Sequence, residues 1–233
     1  VRKQNAVEFL RKYFRDKKLA RRAGLAPLSG GAVGYLGYDA ARWFEPALDR
    51  NSAQPREAFD AVWMFFRTVL AFDRVRQLME ITSIVFTDEA GGDRSKLRDL
   101  YARAVLETKQ IEKSLSKNAP PAPLAKARTG DATVHFASNW PRKDFESAVG
   151  AIKEHIAAGD CYQVVIAQQF TKPTPAPPLA IYRALRATNP SPYMYFLRLD
   201  GDAIIGASPE MLVRSHGQRL DYRPIAGTRK RGA

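Results

Sequence analysis

Antiparallel sheets with flanking helices, an α+β arrangement, is the fold class this sequence predicts. Asp200-Gly201 sits between two apolar runs, which is a strong short-range hairpin signal. Ser215-His216-Gly217-Gln218 separates a further pair of β-like runs. Long segments opening at Asp93 and at Pro141 instead repeat their apolar residues with helical period. With 233 residues, 45% hydrophobic and 26% charged, the chain can build one large core or two modest ones, and wholesale disorder is excluded.

Taken in order, residues 5–22 predict a helix, with Val7, Leu10 and Phe14 on one face and Gly24 and Pro27 beyond its end. Leu28 to Asp39 is rich in glycine but matches neither G-x-G-x-x-G nor G-x-x-x-x-G-K-[ST]. Its Val33, Tyr35, Leu36 and Tyr38 are strand formers, so a buried strand is expected, followed by a helical turn through Arg42, Trp43, Phe44 and Glu45. From Phe59 to Phe86 the β-branched and aromatic residues predict two antiparallel strands divided at Asp73-Arg74. Asp93 is a candidate N-cap for a helix carrying Leu97, Leu100, Tyr101, Ala104, Thr108 and Ile111 on one stripe.

Residues 116–132 contain the proline-rich Asn-Ala-Pro-Pro-Ala-Pro run and no aromatic, the composition of a connector. A boundary there gives regions 1–115 and 133–233. Pro141 to Gly159 predicts a helix with Phe145, Ala148, Val149, Ile152 and Ile156 on its apolar face and Gly159 closing it. Cys161 to Phe170 alternates like a strand, and any buried glutamine in it would need a hydrogen-bond partner. A helix from Leu179 to Thr188 and the Asp200-Gly201 hairpin complete the region before Glu210.

The net charge of +13 raises the question of a nucleic-acid partner. Residues 1–22 hold nine Lys/Arg against two acids, residues 109–130 five against one, and residues 214–231 six against one. The remainder is slightly acidic, so the excess lies in ends and connector, without the interleaved aromatics that a stacking surface needs. No nucleic acid and no membrane partner is expected. No apolar run approaches the roughly 18 residues of a membrane span, and a cytoplasmic setting follows as the expectation. Cys161 is the one cysteine and has no partner for an internal disulfide, while His135, His155 and His216 are scattered singly.

No nucleophile–base constellation and no paired-carboxylate metal motif stands out. What remains is Glu210, after Pro209 at the mouth of a strand, and the Gly227-Thr228-Arg229 turn beyond the next hairpin. Such a turn offers backbone N–H groups and a hydroxyl to a carboxylate, and a part-buried glutamate could protonate a leaving hydroxyl. A salt-bridged or solvated strand-end glutamate is the competing reading.

The runs Gly30-Gly-Ala-Val-Gly-Tyr-Leu-Gly-Tyr-Asp39, Ala158-Gly-Asp-Cys-Tyr-Gln-Val-Val165, Asn189-Pro-Ser-Pro-Tyr-Met194, Ala207-Ser-Pro-Glu210 and Arg223-Pro-Ile-Ala-Gly-Thr-Arg229 together resemble the chorismate-utilising enzymes. Within them the likeness is to the anthranilate synthase component I family. The resemblance implies an α+β enzyme that binds chorismate with Mg²⁺, adds ammonia from a glutamine amidotransferase subunit (component II), and releases pyruvate to leave anthranilate. Carried across, Gly227 and Thr228 become the chorismate-binding pair and Glu210 the acid for the departing hydroxyl. Gln163 falls where relatives that add water carry a lysine base, and a neutral amide suits an amine nucleophile. Pro192, Tyr193 and Met194 fall on the segment lining the site for tryptophan, the feedback inhibitor.

Ala226, where aminodeoxychorismate synthase component I carries lysine, favours the anthranilate enzyme over that alternative. Lys230 departs from the family's usual proline and implies a more flexible turn. By the same resemblance, residues 1–115 match the C-terminal part of the family's N-terminal region, and residues 133–233 match the N-terminal part of its chorismate-binding domain. The Mg²⁺ ligands, a histidine and the start of the tryptophan site would lie outside these 233 residues. An internal fragment of the family fold, inactive by itself, is therefore the expectation. A noncatalytic amino-acid-binding regulatory fragment is the alternative of another class.

Overall fold

The computed structural model describes residues 6–20, 24–45, 47–48, 59–117 and 135–225. The chain divides into two compact units, Val1–Pro121 and Ala122–Ala233. Of the expected connector, 116–132, Ser116 and Lys117 end the helix that precedes it, and the rest lies outside the described residues.

The first unit begins with helix α1, Ala6–Phe14, which stops well short of the end its periodicity predicts. The Lys17 N–H turns back to the Phe14 carbonyl at 3.1 Å, and the Lys17 ammonium lies over the Tyr13 and Phe86 rings and 3.3 Å from Asp88. The contacts with Phe86 and Asp88 are tertiary and draw the chain off the helix axis. Phe9, Tyr13 and Phe14 gather on Phe65, the closest ring centroids 4.9 Å apart.

Strand β1, Gly31–Leu36, runs antiparallel to β2, Ala61–Phe66, from Gly31 opposite Phe66 to Leu36 opposite Ala61. Between them a 3-10 turn, Tyr38–Trp43, starts earlier than the helical turn expected through Arg42, Trp43, Phe44 and Glu45, and buries Ala40. Arg42 in that turn reaches Asp60 at 3.6 Å, and the Gly37 N–H bonds the Asp60 carbonyl at 2.7 Å, anchoring the entry to β2. The strand expected to be buried is only half-buried. Among the described residues, Ser29, Ala40 and Ala90 are the fully buried ones.

The expected strand pair over 59–86 is three strands. β3, Thr68–Asp73, pairs with β4, Leu78–Ser83, across the anticipated Asp73-Arg74 turn, whereas β2 turns away to join β1. Arg67 makes the break. Its guanidinium grips the Glu89 carboxylate in two prongs, Nη1 to Oε2 at 2.8 Å, and lies over the Phe86 ring. A side chain so engaged leaves the β2–β3 junction bent, and its carbonyl accepts the Ile84 N–H at 2.8 Å.

Helix α2, Arg94–Lys117, starts as anticipated. The Asp93 carboxylate accepts the N–H groups of Ser95 and Lys96 at 2.8 and 3.3 Å. Leu97, Leu100, Ala104, Val105, Thr108 and Ile111 are half-buried. Tyr101, at the edge of the stripe, is exposed, and Val105 takes its place.

In the second unit, β5 (Ala137–Ser138) pairs with β6 (Phe170–Thr171). Helix α3, Arg142–Ala158, lies between them in sequence. Pro141 precedes it and Gly159, at φ 86°, ends it. Phe145, Ala148, Val149 and Ile152 are half-buried on its apolar face, while Ile156 is exposed.

The strand expected over Cys161–Phe170 is not formed before Phe170. A strand needs a partner edge for its backbone groups, and the described residues supply one only at the end of this run. There the Gln169 N–H bonds the Asn139 side chain at 2.9 Å and the Gln169 carbonyl accepts the Asn139 N–H at 3.1 Å. The Gln168 amide donates to the Ser138 hydroxyl and the Trp140 carbonyl, at 2.8 and 3.2 Å.

Helix α4, Pro178–Thr188, packs on the hairpin of β7, Tyr193–Leu199, and β8, Asp202–Ser208, with Tyr182 against Phe196 at 5.8 Å. Asp200 and Gly201 form the two-residue turn with φ of 35° and 100°, the positive values that a twisted hairpin requires. β9, Met211–His216, and β10, Arg219–Arg223, make the last hairpin, with a bulge between Asp221 and Arg223.

Asp221 ties the last hairpin together. Arg219 at 2.8 Å, and then Arg214 at 3.2 Å, hold its carboxyl below its ordinary value. A group lowered on folding adds stability above its unfolded value, and loses it as pH falls through the folded one. The hairpin is therefore expected to fray on acidification below about pH 4. Amide exchange at Arg214 and Arg219, which lie in hydrogen-bonded pairs of the ladder, checks this across an acid series. Asp221→Asn should flatten the response, and equal protection in acid and at neutrality would sink the account.

Candidate functional site

The site is built where β8 runs into β9. Ser208 ends β8, Pro209 restricts the turn, and Glu210 stands at its far side, just before Met211 opens β9. The Ser208 hydroxyl donates to the Glu210 carbonyl at 2.9 Å and accepts the Glu210 N–H at 3.3 Å. Glu210 Oε1 then accepts the backbone N–H of Ile225 at 3.3 Å, beyond the end of β10. The carboxylate thus reaches the backbone that leads into Gly227-Thr228. Glu210 is exposed, which agrees with the solvated strand-end reading and not with the part-buried one.

Of the remaining candidates, Tyr193 and Met194 lie at the start of β7, opposite Ser208 and Ala207. They therefore share an end of the sheet with the turn that carries Glu210. Pro192, just before the strand, is exposed, Tyr193 is 36% exposed, and Met194 is half-buried. Gln163 is exposed in the extended run after α3, and among the described residues it has no hydrogen bond to Glu210. Gly227 and Thr228, with Ala226 and Lys230, lie outside the described residues. His155 bonds Asp160 at 2.8 Å beside the end of α3, a local contact away from this turn in sequence.

Ser208 and Ile225 stand in the quoted motifs, but the sequence assigns neither of them a role. The signal for Ser208 was present as a hydroxyl two positions before a residue whose backbone it can bond. Ile225 contributes only its N–H, which no side-chain pattern reveals.

A cavity of about 520 Å³ lies elsewhere, in the first unit, between residues 24–27 and the β3–β4 hairpin. Its carboxylates are already engaged. Asp73 accepts the Val75 and Arg76 N–H groups, and Glu80 accepts from the Ala26 N–H and the Thr82 hydroxyl. The Ser-Pro-Glu turn is therefore the stronger candidate despite its openness. Among the described residues no group of His, Cys, Asp and Glu comes together that could hold a metal ion, so these residues do not fit a Mg²⁺ site. No helix among them is long and apolar enough to cross a membrane.

Comparison with known proteins returns a family model described as chorismate binding enzyme, matching residues 2–233. Anthranilate synthase component 1 of Pseudomonas putida is 38% identical over 226 residues, covering 94% of this chain and 44% of that protein. The Saccharomyces cerevisiae protein of the same name is 37% identical over 229 residues, covering 97% and 44%. Among solved structures, anthranilate synthase component I from Streptococcus pneumoniae superposes with a TM-score of 0.68 at 26% identity, covering 94% of this chain and 47% of that one. The chain spans less than half the length of these relatives.

Proposed function

Because the chain belongs to the chorismate binding enzyme family, we propose that it forms part of an anthranilate synthase component I. In this reading the whole enzyme converts chorismate and ammonia to anthranilate and pyruvate in tryptophan biosynthesis, in the cytoplasm. Residues 133–233 are the first part of the chorismate-binding domain. The observation that carries the reading is the Glu210 carboxylate on the Ile225 N–H, which joins the Ser-Pro-Glu turn to the segment leading into Gly227-Thr228.

The roles follow from the chemistry of these groups. Gly227 lets a substrate carboxylate approach the backbone, and Thr228 offers a hydroxyl and an N–H to it. In its carboxylic acid form Glu210 gives its proton to the ring hydroxyl, which leaves as water, through the oxygen that the Ile225 N–H does not engage. Gln163 has no basic atom with which to activate water, so the incoming nucleophile is ammonia supplied ready-made by an amidotransferase subunit. Tyr193 and Met194, with Pro192, line an amino-acid site for tryptophan. Mg²⁺ held elsewhere in the whole enzyme would supply charge neutralisation for the substrate carboxylates.

The test exchanges residues 2–233 for the equivalent segment of the Pseudomonas putida relative and follows anthranilate fluorescence with chorismate, ammonia and Mg²⁺. Anthranilate is the expected product. A folded chimera that yields aminodeoxychorismate, or no product, would overturn the reading.

A further inference from the structure

Ser208 does more in this geometry than end a strand. Its one hydroxyl satisfies both backbone polar groups of Glu210, donating to the carbonyl at 2.9 Å and accepting the N–H at 3.3 Å. Pro209, between them, restricts the remaining backbone rotation. On its other side Ser208 is held opposite Tyr193 in the β7–β8 ladder. The backbone of Glu210 is thus tied to a sheet, and its side chain reaches the Ile225 N–H at 3.3 Å, beyond the end of β10.

We propose that Ser208 is a positioning residue: it aims the Glu210 carboxylate and, through that carboxylate, holds the Ile225 N–H beyond the end of β10. The catalytic meaning of this clamp rests on the proposed role of Glu210, whereas the clamp itself does not. Without the Ser208 hydroxyl, the Glu210 N–H and carbonyl turn to water and the carboxylate loses its fixed direction. The effect should therefore appear at Ile225, which Ser208 does not touch.

Amide hydrogen exchange at Ile225, read by NMR on the whole chain, tests this in the unaltered protein, Ser208→Ala, Ser208→Thr and Glu210→Ala. Glu210→Ala and Ser208→Ala should each speed exchange about fivefold, the loss expected for one ordinary hydrogen bond. Ser208→Thr keeps the hydroxyl and should restore the original rate. The exchange rates in α3 should stay unchanged, which a general loss of stability would not allow.

Should Ser208→Ala fail to fold, Ser208→Cys, close in size and a poor hydrogen bonder, takes its place with the same expectation. Fast exchange in Glu210→Ala beside an unchanged rate in the Ser208 variant overturns the proposal. So does an unchanged rate in Glu210→Ala, since there would then be no clamp to position. Failure of the chimera to make anthranilate counts against the proposed reaction and leaves the exchange result standing.

Discussion

Gly34→Ala is expected to disrupt the β1–β2 pair and cost stability at or above the upper end of the about 1–3 kcal/mol typical of overpacking. A Cβ at this position would fall on the carbonyl oxygen of Val62 and lie 2.9 Å from the Trp63 Cα. Both are backbone atoms of the paired strand, so no rotamer change relieves the overlap. The ladder must separate or the strand must shift. Gly150→Ala is the matched control, because a Cβ there meets nothing within 4 Å on the exposed side of α3. That substitution should stabilise by about 0.5–1 kcal/mol through helix propensity. Denaturant unfolding of the two variants reads both signs, and a Gly34→Ala midpoint equal to that of the unaltered chain would refute the close approach.

Glu210→Gln should lower kcat of the anthranilate-forming chimera by about 10²–10⁴, the range for loss of a general acid. Glutamine keeps the shape of the side chain, and its carbonyl oxygen can still accept the Ile225 N–H seen at 3.3 Å. The clamp therefore survives while the transferable proton is lost. KM should change little, and the deficit should sit in kcat. Glu210→Ala, which removes proton and clamp together, should disturb both constants. Steady-state kinetics at saturating ammonia separates these cases, and a glutamine variant with undiminished kcat would remove Glu210 from its proposed role.

Features carried by a few neighbouring residues are legible in the amino-acid sequence. The Asp200-Gly201 turn, the Asp93 cap of α2 and the Gly159 end of α3 each follow from the local preferences of one or two residues. The family is legible for a similar reason, since its motifs are short and keep their order along the chain. Strand partners are harder. β1 and β2 lie far apart in sequence, so nothing local announces that β2 will leave β3 for β1. The Cys161–Phe170 run has the alternation of a strand, but alternation describes side chains and not the hydrogen-bonding edge a strand needs. Helical periodicity continues past Phe14, whereas the pull of Lys17 toward Phe86 and Asp88 that ends α1 is tertiary.

Residue type alone thus fixes most helices and turns, the family, and the suspicion that Glu210 and the Gly227-Thr228 turn converge. These depend on interactions spanning a few residues, whose energies follow from which side chains are neighbours. Folding in three dimensions settles which edges pair, that Arg67 bends the chain toward Glu89, and that Glu210 is exposed on the Ile225 N–H between Ser208 and the end of β10. Such choices turn on which backbone groups find a partner once the chain is folded, and a backbone N–H carries no mark in the sequence.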